Sequence, residues 1–431
     1  MNDVAALLKE RIRNSGKITL AEFMETALYA PGRGYYTSAR QRVGAQGDFF
    51  TSPATHPIFA ALVAVQLEQL WRILDCPADF TVVEMGAGKG LLADDILSYS
   101  ARTEPEFSAA VTYIAEERDS VDLVQRGRHM PAEPLFREAM LDVTGCFLSN
   151  ELLDSFPANR VAVRDGSLQE VYVDLADGEF VEVAGPPSSP LFLEILAEEG
   201  IVLPEGYQTE INLNVAPWMS RVADRLKRGL VLTIDYGHTA RDLYAPERRR
   251  GTLMTYYRHM CGEDPFVRVG TQDMTTHVDF TSAVMAGERN GLHFEALCSQ
   301  REFLQNLGID AFIDALGRKG LSNAEYLANR FSMLELIREE GLGSFKVLVQ
   351  SKGIPDAALI CLDPQNSYRK GLKASEHELE IPLLRRDHMP LLRGRYPSYY
   401  ELETGVPESL WDRGGWSADR QVQEEGRDMA N

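Results

Sequence analysis

The sequence predicts an α/β fold in which helices cover both faces of a doubly wound, mostly parallel sheet. Apolar, β-branched segments alternate with helical ones through residues 80–352, and the first such segment ends in a glycine-rich turn. Between Asn159 and Glu210 this pattern gives way to alternating polar and apolar residues. That interruption predicts an inserted α+β subdomain, whereas the residues before the first strand predict a helical N-terminal part.

Composition narrows the class of protein. The chain has 431 residues, of which 44% are hydrophobic and 25% charged, as is typical of a globular protein of one or two domains. Its net charge of −20 argues against a protein that binds nucleic acid through phosphate groups. No apolar run approaches the ~20 residues of a membrane span. Scattered cysteines and a charged N-terminus without a signal peptide predict a cytoplasmic protein.

The N-terminal region, 1–75, is predicted to be mostly helical. Thr19 and Glu22 have the spacing of a capping box, in which each side chain satisfies a free amide at the helix start. Residues 31–53 are too rich in glycine for a helix, and ordered loops of that length tend to be functional. We therefore expect this loop to contribute to a site.

The predicted strands of the α/β region define the parts of the chain. The predicted strands are Phe80–Met85, Val111–Glu117, Cys146–Glu151, Gly229–Gly237, Phe294–Gln300 and Phe345–Lys352. Turn signals at Asp165-Gly166 and Asp177-Gly178 predict antiparallel hairpins in the insertion. The predicted parts are 1–75, 76–158, 159–215 and 216–352, followed by an extension over 353–431.

The extension is predicted to be an arm that packs on the body, with a disordered end over its last dozen residues. Its aromatic residues are Tyr396, Tyr399, Tyr400, Trp411 and Trp416. They could form a homodimer contact or pack on their own chain.

The most specific local motif is Glu84-Met-Gly86-Ala-Gly88-Lys-Gly90, which joins a strand to a helix. Glycines let a ligand approach the backbone, and the helix N-terminus supplies free amides. Dinucleotide sites prefer G-x-G-x-x-G, but the spacing here is G-x-G-x-G, and Glu116 ends the next strand. This pattern resembles the S-adenosylmethionine site of class I methyltransferases. A dehydrogenase and a glycine turn without a ligand are the alternatives.

A second motif, Ser149-Asn-Glu-Leu-Leu-Asp154-Ser-Phe-Pro157, follows the third predicted strand. Glu151 and Asp154 are one helical turn apart, so a helix would place both carboxylates on one face. Their position at the carboxyl end of the sheet favours a functional role. Alternatively, Asn150 caps a helix and the acids after it are solvated.

The chain resembles the MidA-like methyltransferases, the family of the mitochondrial complex I assembly arginine methyltransferase, up to Lys352, and the extension beyond that residue lies outside the resemblance. Its matching segments, between about Ile18 and Lys352, are PGRGYYTS, GDFFTSP, VVEMGAGKG, SNELLDSFP, LPEGYQTEIN, TIDYGH, RRRGTLMTYYRHM, VGTQDMTTHVDF and SQREFLQNLGI. The resemblance implies a class I (Rossmann-like) fold, S-adenosylmethionine as cofactor, and ω-N-dimethylation of an exposed arginine in a respiratory complex I subunit. Two further readings stay open: a small-molecule methyltransferase, and a cofactor-binding assembly factor with little turnover.

The resemblance and the chemistry of a guanidinium together give the site predictions. Carboxylates can localise guanidinium charge and accept its proton, so the predicted catalytic residues are Asn150, Glu151 and Asp154. The predicted cofactor-binding residues are Thr51, Ser52, Glu84, Gly86, Gly88, Gly90, Glu116 and Asn150. The predicted substrate-side residues are Asp235, Tyr236, His277 and Asp279. No metal site is predicted, because the histidines are isolated.

Some of these residues have simpler structural readings. Thr51 or Ser52 could be an ordinary helix cap, and His277 could serve loop packing. The chain also departs from the family, because Ala54 and Ala61 stand where carboxylates are usual and His56 where a hydroxyl is usual. If those acids receive the arginine in other members, the substrate here differs.

Overall fold

The computed structural model describes residues 4–38, 50–118, 121–125, 128–131, 142–354, 357–374, 379–385 and 388. Residues 39–49 of the predicted N-terminal loop lie outside this set. So do the predicted aromatic cluster and the predicted disordered end of the extension. Each helix among the described residues is too short or too polar to traverse a lipid bilayer.

The described helices and strands have the following bounds. The helices are α1 Val4–Ser15, α2 Leu20–Tyr29, α3 Ser52–Thr55, α4 Ile58–Ile73, α5 Leu91–Thr103, α6 Pro105–Ala110, α7 Leu191–Glu198, α8 Val215–Arg225, α9 Ala240–Leu243, α10 Phe280–Arg289, α11 Gln300–Asn306, α12 Ile309–Leu316, α13 Asn323–Leu336 and α14 Ser367–Ala374. The strands are β1 Ile18–Thr19, β2 Phe80–Met85, β3 Val111–Glu116, β4 Val121–Gln125, β5 Arg128–Pro131, β6 Val143–Asn150, β7 Asn159–Arg164, β8 Ser167–Ala176, β9 Glu179–Gly185, β10 Gln208–Ile211, β11 Leu226–Asp235, β12 Gly237–His238, β13 Met254–Tyr257, β14 Met260–Gly262, β15 Asp273–Thr275, β16 Val278–Asp279, β17 His293–Ser299 and β18 Lys346–Lys352.

The main sheet has the strand order β17-β18-β11-β6-β2-β3-β4-β5. Strands β11, β6, β2 and β3 are mutually parallel, whereas β18 runs antiparallel between β11 and β17. The predicted doubly wound, mostly parallel sheet is confirmed. Parallel strands place their carboxyl ends at one edge, so the glycine motif after β2 and the acidic motif after β6 meet there.

Both faces of this sheet are buried, which explains why its strands are apolar throughout. On β2, Phe80 and Val82 point to the core formed with α4 and α5, whereas Val83 and Met85 point to the core formed with α8 and α10. The pleat alone produces this division, since successive side chains of a strand alternate between faces.

The insertion forms a second, antiparallel sheet together with β1 of the N-terminal part. Strand β8 pairs with β1, β7 and β9, and β10 pairs with β7. Both predicted hairpins are confirmed, and all four turn residues (Asp165, Gly166, Asp177 and Gly178) have the positive φ of a two-residue hairpin turn. The capping box of Thr19 and Glu22 is also present, at the start of α2. The boundaries of the parts remain predictions.

The described portion of the extension packs on the body, as the sequence predicts. Ile354, Leu359, Cys361, Leu372 and Ile381 are buried in the same core as α4 and α5. The chain beyond Lys352 is therefore part of the folded unit up to these residues.

Candidate active site

The glycine loop between β2 and α5 is held in a conformation that favours glycine. Gly86, Gly88 and Gly90 have φ values of 77°, 58° and 74°, in the left-handed region. A Cβ on Gly86 would lie 2.9 Å from Leu152 Cδ1, whereas a Cβ on Gly88 would meet no atom of the described residues within 4 Å. A side chain at position 86 would therefore displace the end of Leu152, whereas Gly88 leaves its backbone open to a ligand.

Glu84 lies beneath this loop and is only 4% exposed. The Tyr113 hydroxyl donates a hydrogen bond of 2.8 Å to Glu84 Oε2. Burial raises the pKa of Glu84 to about 8, so the carboxyl is mostly protonated at neutral pH. Its contacts connect β2 with β3, and its predicted contact with a cofactor remains a prediction.

The acid nearest to the loop is Glu117, whereas the acid predicted from the sequence to bind the cofactor is Glu116. Glu117 Oε1 accepts a hydrogen bond from the Gly88 amide, whereas Glu116 Oε2 lies 4.0 Å from Arg225 Nη1. The Glu116 backbone oxygen, not its carboxylate, touches the loop, through the Gly86 amide at 2.8 Å. Adjacent acids at a strand end gave no local signal for choosing between them.

The acidic motif after β6 does not form the predicted helical face. Glu151 has a φ of 51°, and only a short 3₁₀ helix follows, over Leu153–Ser155. The Glu151 amide donates to the Ile234 oxygen at 2.9 Å, which turns the chain at the edge of the sheet. The predicted helical face is therefore wrong, although the left-handed turn still places Glu151 beside Asp154.

Glu151 and Asp154 are fixed by several neighbours. Glu151 Oε1 accepts hydrogen bonds from Asn150 Nδ2 at 2.9 Å and from the Ser52 amide at 3.3 Å. Asp154 Oδ2 accepts one from the Tyr236 hydroxyl. Asp154 Oδ1 and Asn150 Oδ1 are buried and have no hydrogen-bond partner among the described residues.

Burial acts on both carboxyls, and the charge of Asp154 acts in addition on Glu151. Burial, reinforced by the charge of Asp154, raises the pKa of Glu151 to about 8. Burial raises the pKa of Asp154 to about 6. Within the described part of the chain, no lysine or arginine forms an ion pair with either group. A cation placed here would stabilise their charged forms.

Asp235 was predicted on the substrate side, but its carboxylate holds the backbone of the turn. Its Oδ2 accepts hydrogen bonds from the amides of Leu152, Leu153 and Asp154 at 3.1, 2.9 and 3.3 Å. Its Oδ1 accepts from the Tyr236 amide at 2.9 Å. Asp235 thus shapes the turn that presents Glu151 and Asp154.

A third carboxylate, that of Asp273, and four tyrosines also lie at this site. Of these five residues, only Tyr236 was predicted from the sequence. The Tyr36 hydroxyl lies 2.9 and 2.8 Å from the two carboxylate oxygens of Asp273, and Tyr36 stacks on Tyr29 with ring centroids 5.4 Å apart. Tyr29 donates to the Ser155 oxygen at 2.9 Å. We call Glu151, Asp154, Asp273, Tyr29, Tyr36, Tyr236 and Tyr256 the acidic cluster, since their charges act on one another.

Sequence signals for these additional members were weak. Asp273 stands in the quoted segment VGTQDMTTHVDF, and Tyr36 in PGRGYYTS, so the resemblance marked the segments but not the residues. Tyr36 and Asp273 are 237 positions apart, a pairing that only the fold brings about.

The side chains of four further predicted residues, Thr51, Ser52, His277 and Asp279, make structural contacts. Thr51 is the N-cap of α3, which agrees with the alternative interpretation that it is a helix cap. The Ser52 hydroxyl donates a hydrogen bond of 2.9 Å to Gln300 Oε1. His277 packs on the Tyr236 ring at 5.5 Å, and burial lowers its pKa to about 4. Asp279 caps α10 by accepting from the amides of Thr281 and Ser282 at 3.0 and 3.2 Å.

The loop and the motif after β6 fit S-adenosylmethionine. The open space beside Gly88 admits a ligand against the backbone, and the unpartnered Asn150 Oδ1 can accept a hydrogen bond from an ammonium group. Glu117 carries a carboxylate at the loop, where hydroxyl groups of a ribose could donate.

Comparison with known proteins gives the same cofactor. Residues 62–298 match the model of a family described as "Putative S-adenosyl-L-methionine-dependent methyltransferase". The crystal structure of a Burkholderia thailandensis protein bound to S-adenosyl-homocysteine superposes with a TM-score of 0.68 at 31% identity, covering 83% of this chain and 94% of that one.

Named relatives extend over most of the chain. The mitochondrial protein arginine methyltransferase NDUFAF7 homolog of Drosophila melanogaster is 28% identical over 393 residues, which cover 83% of this chain and 86% of that protein. The human NDUFAF7 protein is 24% identical over 398 residues, covering 79% and 85%. The chain therefore belongs to the MidA-like family and is an S-adenosylmethionine-dependent methyltransferase with a class I fold.

Proposed function

We propose that the chain methylates a guanidinium nitrogen of an arginine in a protein substrate. The observation that supports this most directly is the pair of buried carboxyls, Glu151 and Asp154, with raised pKa values and no cationic partner among the described residues. A guanidinium is the cation whose planar donors suit two carboxylates at once. The relatives named as protein arginine methyltransferases give independent support.

The residues of the acidic cluster have distinct parts in the proposed reaction. S-adenosylmethionine supplies the methyl group from its sulfonium. Glu151 and Asp154 accept hydrogen bonds from guanidinium N–H groups, which draws positive charge away from the nitrogen that attacks. When that nitrogen bonds to the methyl carbon and the sulfur–carbon bond breaks, the nitrogen loses a proton. Glu151 accepts this proton and releases it to solvent, while Tyr236 keeps Asp154 oriented.

The identity of the substrate protein is supported by the family resemblance and not by a contact in the structure. We propose ω-N-dimethylation of a subunit of the respiratory complex I type, because the family resemblance implies it. A small-molecule substrate was suggested by Ala54 and Ala61 in place of acids, but these residues are 1% and 0% exposed and pack in the interior. They therefore provide no argument about the surface that meets a substrate.

A labelled-methyl transfer assay tests the proposal. The full chain is incubated with methyl-labelled S-adenosylmethionine and host lysate, and labelled proteins are digested for mass spectrometry. We expect label on a protein arginine, and a rate at least about 100-fold lower for Glu151→Gln, because general-base catalysis contributes that much. Glu179→Gln is the matched control, since that side chain is 82% exposed on the second sheet.

Each other result identifies an alternative. Label found only in small molecules contradicts a protein substrate, and no transfer despite tight cofactor binding indicates an assembly factor. Full turnover by Glu151→Gln with normal cofactor binding would remove Glu151 from the mechanism.

A cytoplasmic location and a homodimer are further proposals. All five cysteines are free thiols, which suits a reducing compartment, although the named relatives are mitochondrial. Cell fractionation tests the first, and sedimentation at several protein concentrations tests the second.

A further inference from the structure

Helix α3 connects the acidic cluster to a distant part of the chain. At its first residue, the Ser52 amide donates to Glu151 Oε1 at 3.3 Å. Immediately after its last residue comes His56, which is fully buried. The Ile58 amide donates to His56 Nδ1 at 3.0 Å, so the ring proton is on Nε2, and Nε2 donates to Asn329 Oδ1 at 3.0 Å. His56 thus connects the end of α3 to Asn329 of α13.

The same Asn329 oxygen also receives the C-terminal extension. The Leu384 amide donates to Asn329 Oδ1 at 2.9 Å, while Asn329 Nδ2 donates to the Glu325 oxygen at 2.8 Å. Every polar atom of this side chain is therefore used, and the residue is only 2% exposed. We call residues 379–385 the strap.

The strap has a second attachment, on α5. Arg385 forms an ion pair with Asp95, and His388 Nε2 lies 2.9 Å from Asp95 Oδ2. Asp95 and His388 are 4% and 0% exposed, so this attachment is shielded from solvent. With Ile381 buried in the core as well, the strap has a defined position against the body.

We propose that Asn329 is a positioning residue for methyl transfer, which holds His56 and the strap together so that α3 presents the Ser52 amide to Glu151. This inference rests on the role of Glu151 in the proposed function. It assigns a part in the reaction to the extension beyond Lys352. A hydrogen bond from Ser52 favours the charged form of Glu151 and lowers its pKa.

Paired substitutions separate the hydrogen bonds from simple packing. Leu384→Pro removes the side chain and the N–H group, whereas Leu384→Ala removes the side chain alone. Asn329→Leu removes both the shared acceptor and the donor to the Glu325 oxygen, whereas Asn329→Asp removes that donor alone and keeps an oxygen in the shared position. The full chain is used throughout, with thermal unfolding to establish that each variant is folded.

Two readouts are measured: the pH profile of kcat, and hydrogen exchange of the backbone amides of Ser52, Ala54 and Thr55. For Leu384→Pro and Asn329→Leu we expect kcat to fall about threefold to tenfold, the value of one hydrogen bond, with the KM for cofactor within about twofold. The acidic limb of the profile should move to higher pH, and exchange should accelerate. The variants leave unchanged the other titratable groups that face Glu151, namely Asp154, Asp235, Asp273 and Tyr256.

The control variants decide the result. Leu384→Ala and Asn329→Asp should stay near the wild-type limb and exchange rate. If Leu384→Pro and Asn329→Leu match these controls in both readouts, the inference is overturned. If the wild type transfers no methyl group to arginine, the proposed function fails, and the exchange measurement alone then decides whether Asn329 and the strap position α3.

Discussion

Replacing Glu84 by glutamine tests whether the acid before the glycine loop is a structural residue or a cofactor ligand. Burial raises its pKa from an ordinary 4.5 to about 8. The folded chain therefore binds a proton that the unfolded chain has lost between these two pH values. The stabilisation by this proton is complete below pH 4.5 and is lost as the pH rises to about 8.

The magnitude follows from linkage. Each pH unit in that interval costs about 1.4 kcal/mol of unfolding free energy, so this carboxyl alone destabilises the wild type by about 3 kcal/mol at pH 7 and about 5 kcal/mol above pH 8. Glutamine never ionises, and its Oε1 can still accept the Tyr113 hydrogen bond. We expect Glu84→Gln to be more stable than the wild type, with a difference that grows with pH.

Urea unfolding at pH 5, 7 and 8 measures this difference, and calorimetry with S-adenosyl-homocysteine measures cofactor affinity in the same variants. A constant difference between pH 5 and pH 8 would refute the assignment of a neutral, buried Glu84. Loss of cofactor binding in a stabilised Glu84→Gln would show instead that the carboxylate contacts the ligand, as the sequence analysis predicts.

Two further predictions concern the glycine loop. Gly88→Ala should weaken binding of S-adenosyl-homocysteine more than Gly86→Ala in titration calorimetry, because its Cβ would enter the space proposed for the cofactor, whereas that of Gly86 would meet the flexible end of Leu152 at 2.9 Å. Equal losses would show that left-handed strain, about 1–2 kcal/mol per residue, dominates at both positions. Glu117→Gln should reduce the same affinity about tenfold, the value of a charge-assisted hydrogen bond, whereas Glu116→Gln should have a smaller effect. The opposite order would restore Glu116 as the cofactor acid.

Features with local signals could be predicted from the sequence. The strands of the main sheet are apolar runs because both of their faces are buried, and the two hairpins carry Asp-Gly turns that accept positive φ. The glycine loop could also be predicted from the sequence, since its three glycines adopt conformations that other residues avoid.

Features that depend on contacts between residues far apart in the chain could not be predicted from the sequence. The spacing of Glu151 and Asp154 suggested a helix, but Asp235 binds three amides of the turn and stabilises a left-handed Glu151 instead. Tyr36 and Asp273 are joined only because the N-terminal helices and β15 pack together. Tertiary hydrogen bonds therefore override local propensity at the site more than elsewhere.

The energetics of the acidic cluster argue for a bound cation more strongly than the net charge of −20 does. Surface acids are solvated and carry no implication for a ligand, whereas burial raises the pKa of Glu151 to about 8 and so lowers stability by about 3 kcal/mol at pH 7. A purely structural hydrogen bond to Asn150 and Ser52 could be made by glutamine without that cost. A guanidinium offsets the cost by favouring the charged carboxylates, whereas a neutral side chain leaves them unpaired. The same groups that destabilise the protein alone would thus select a cationic substrate.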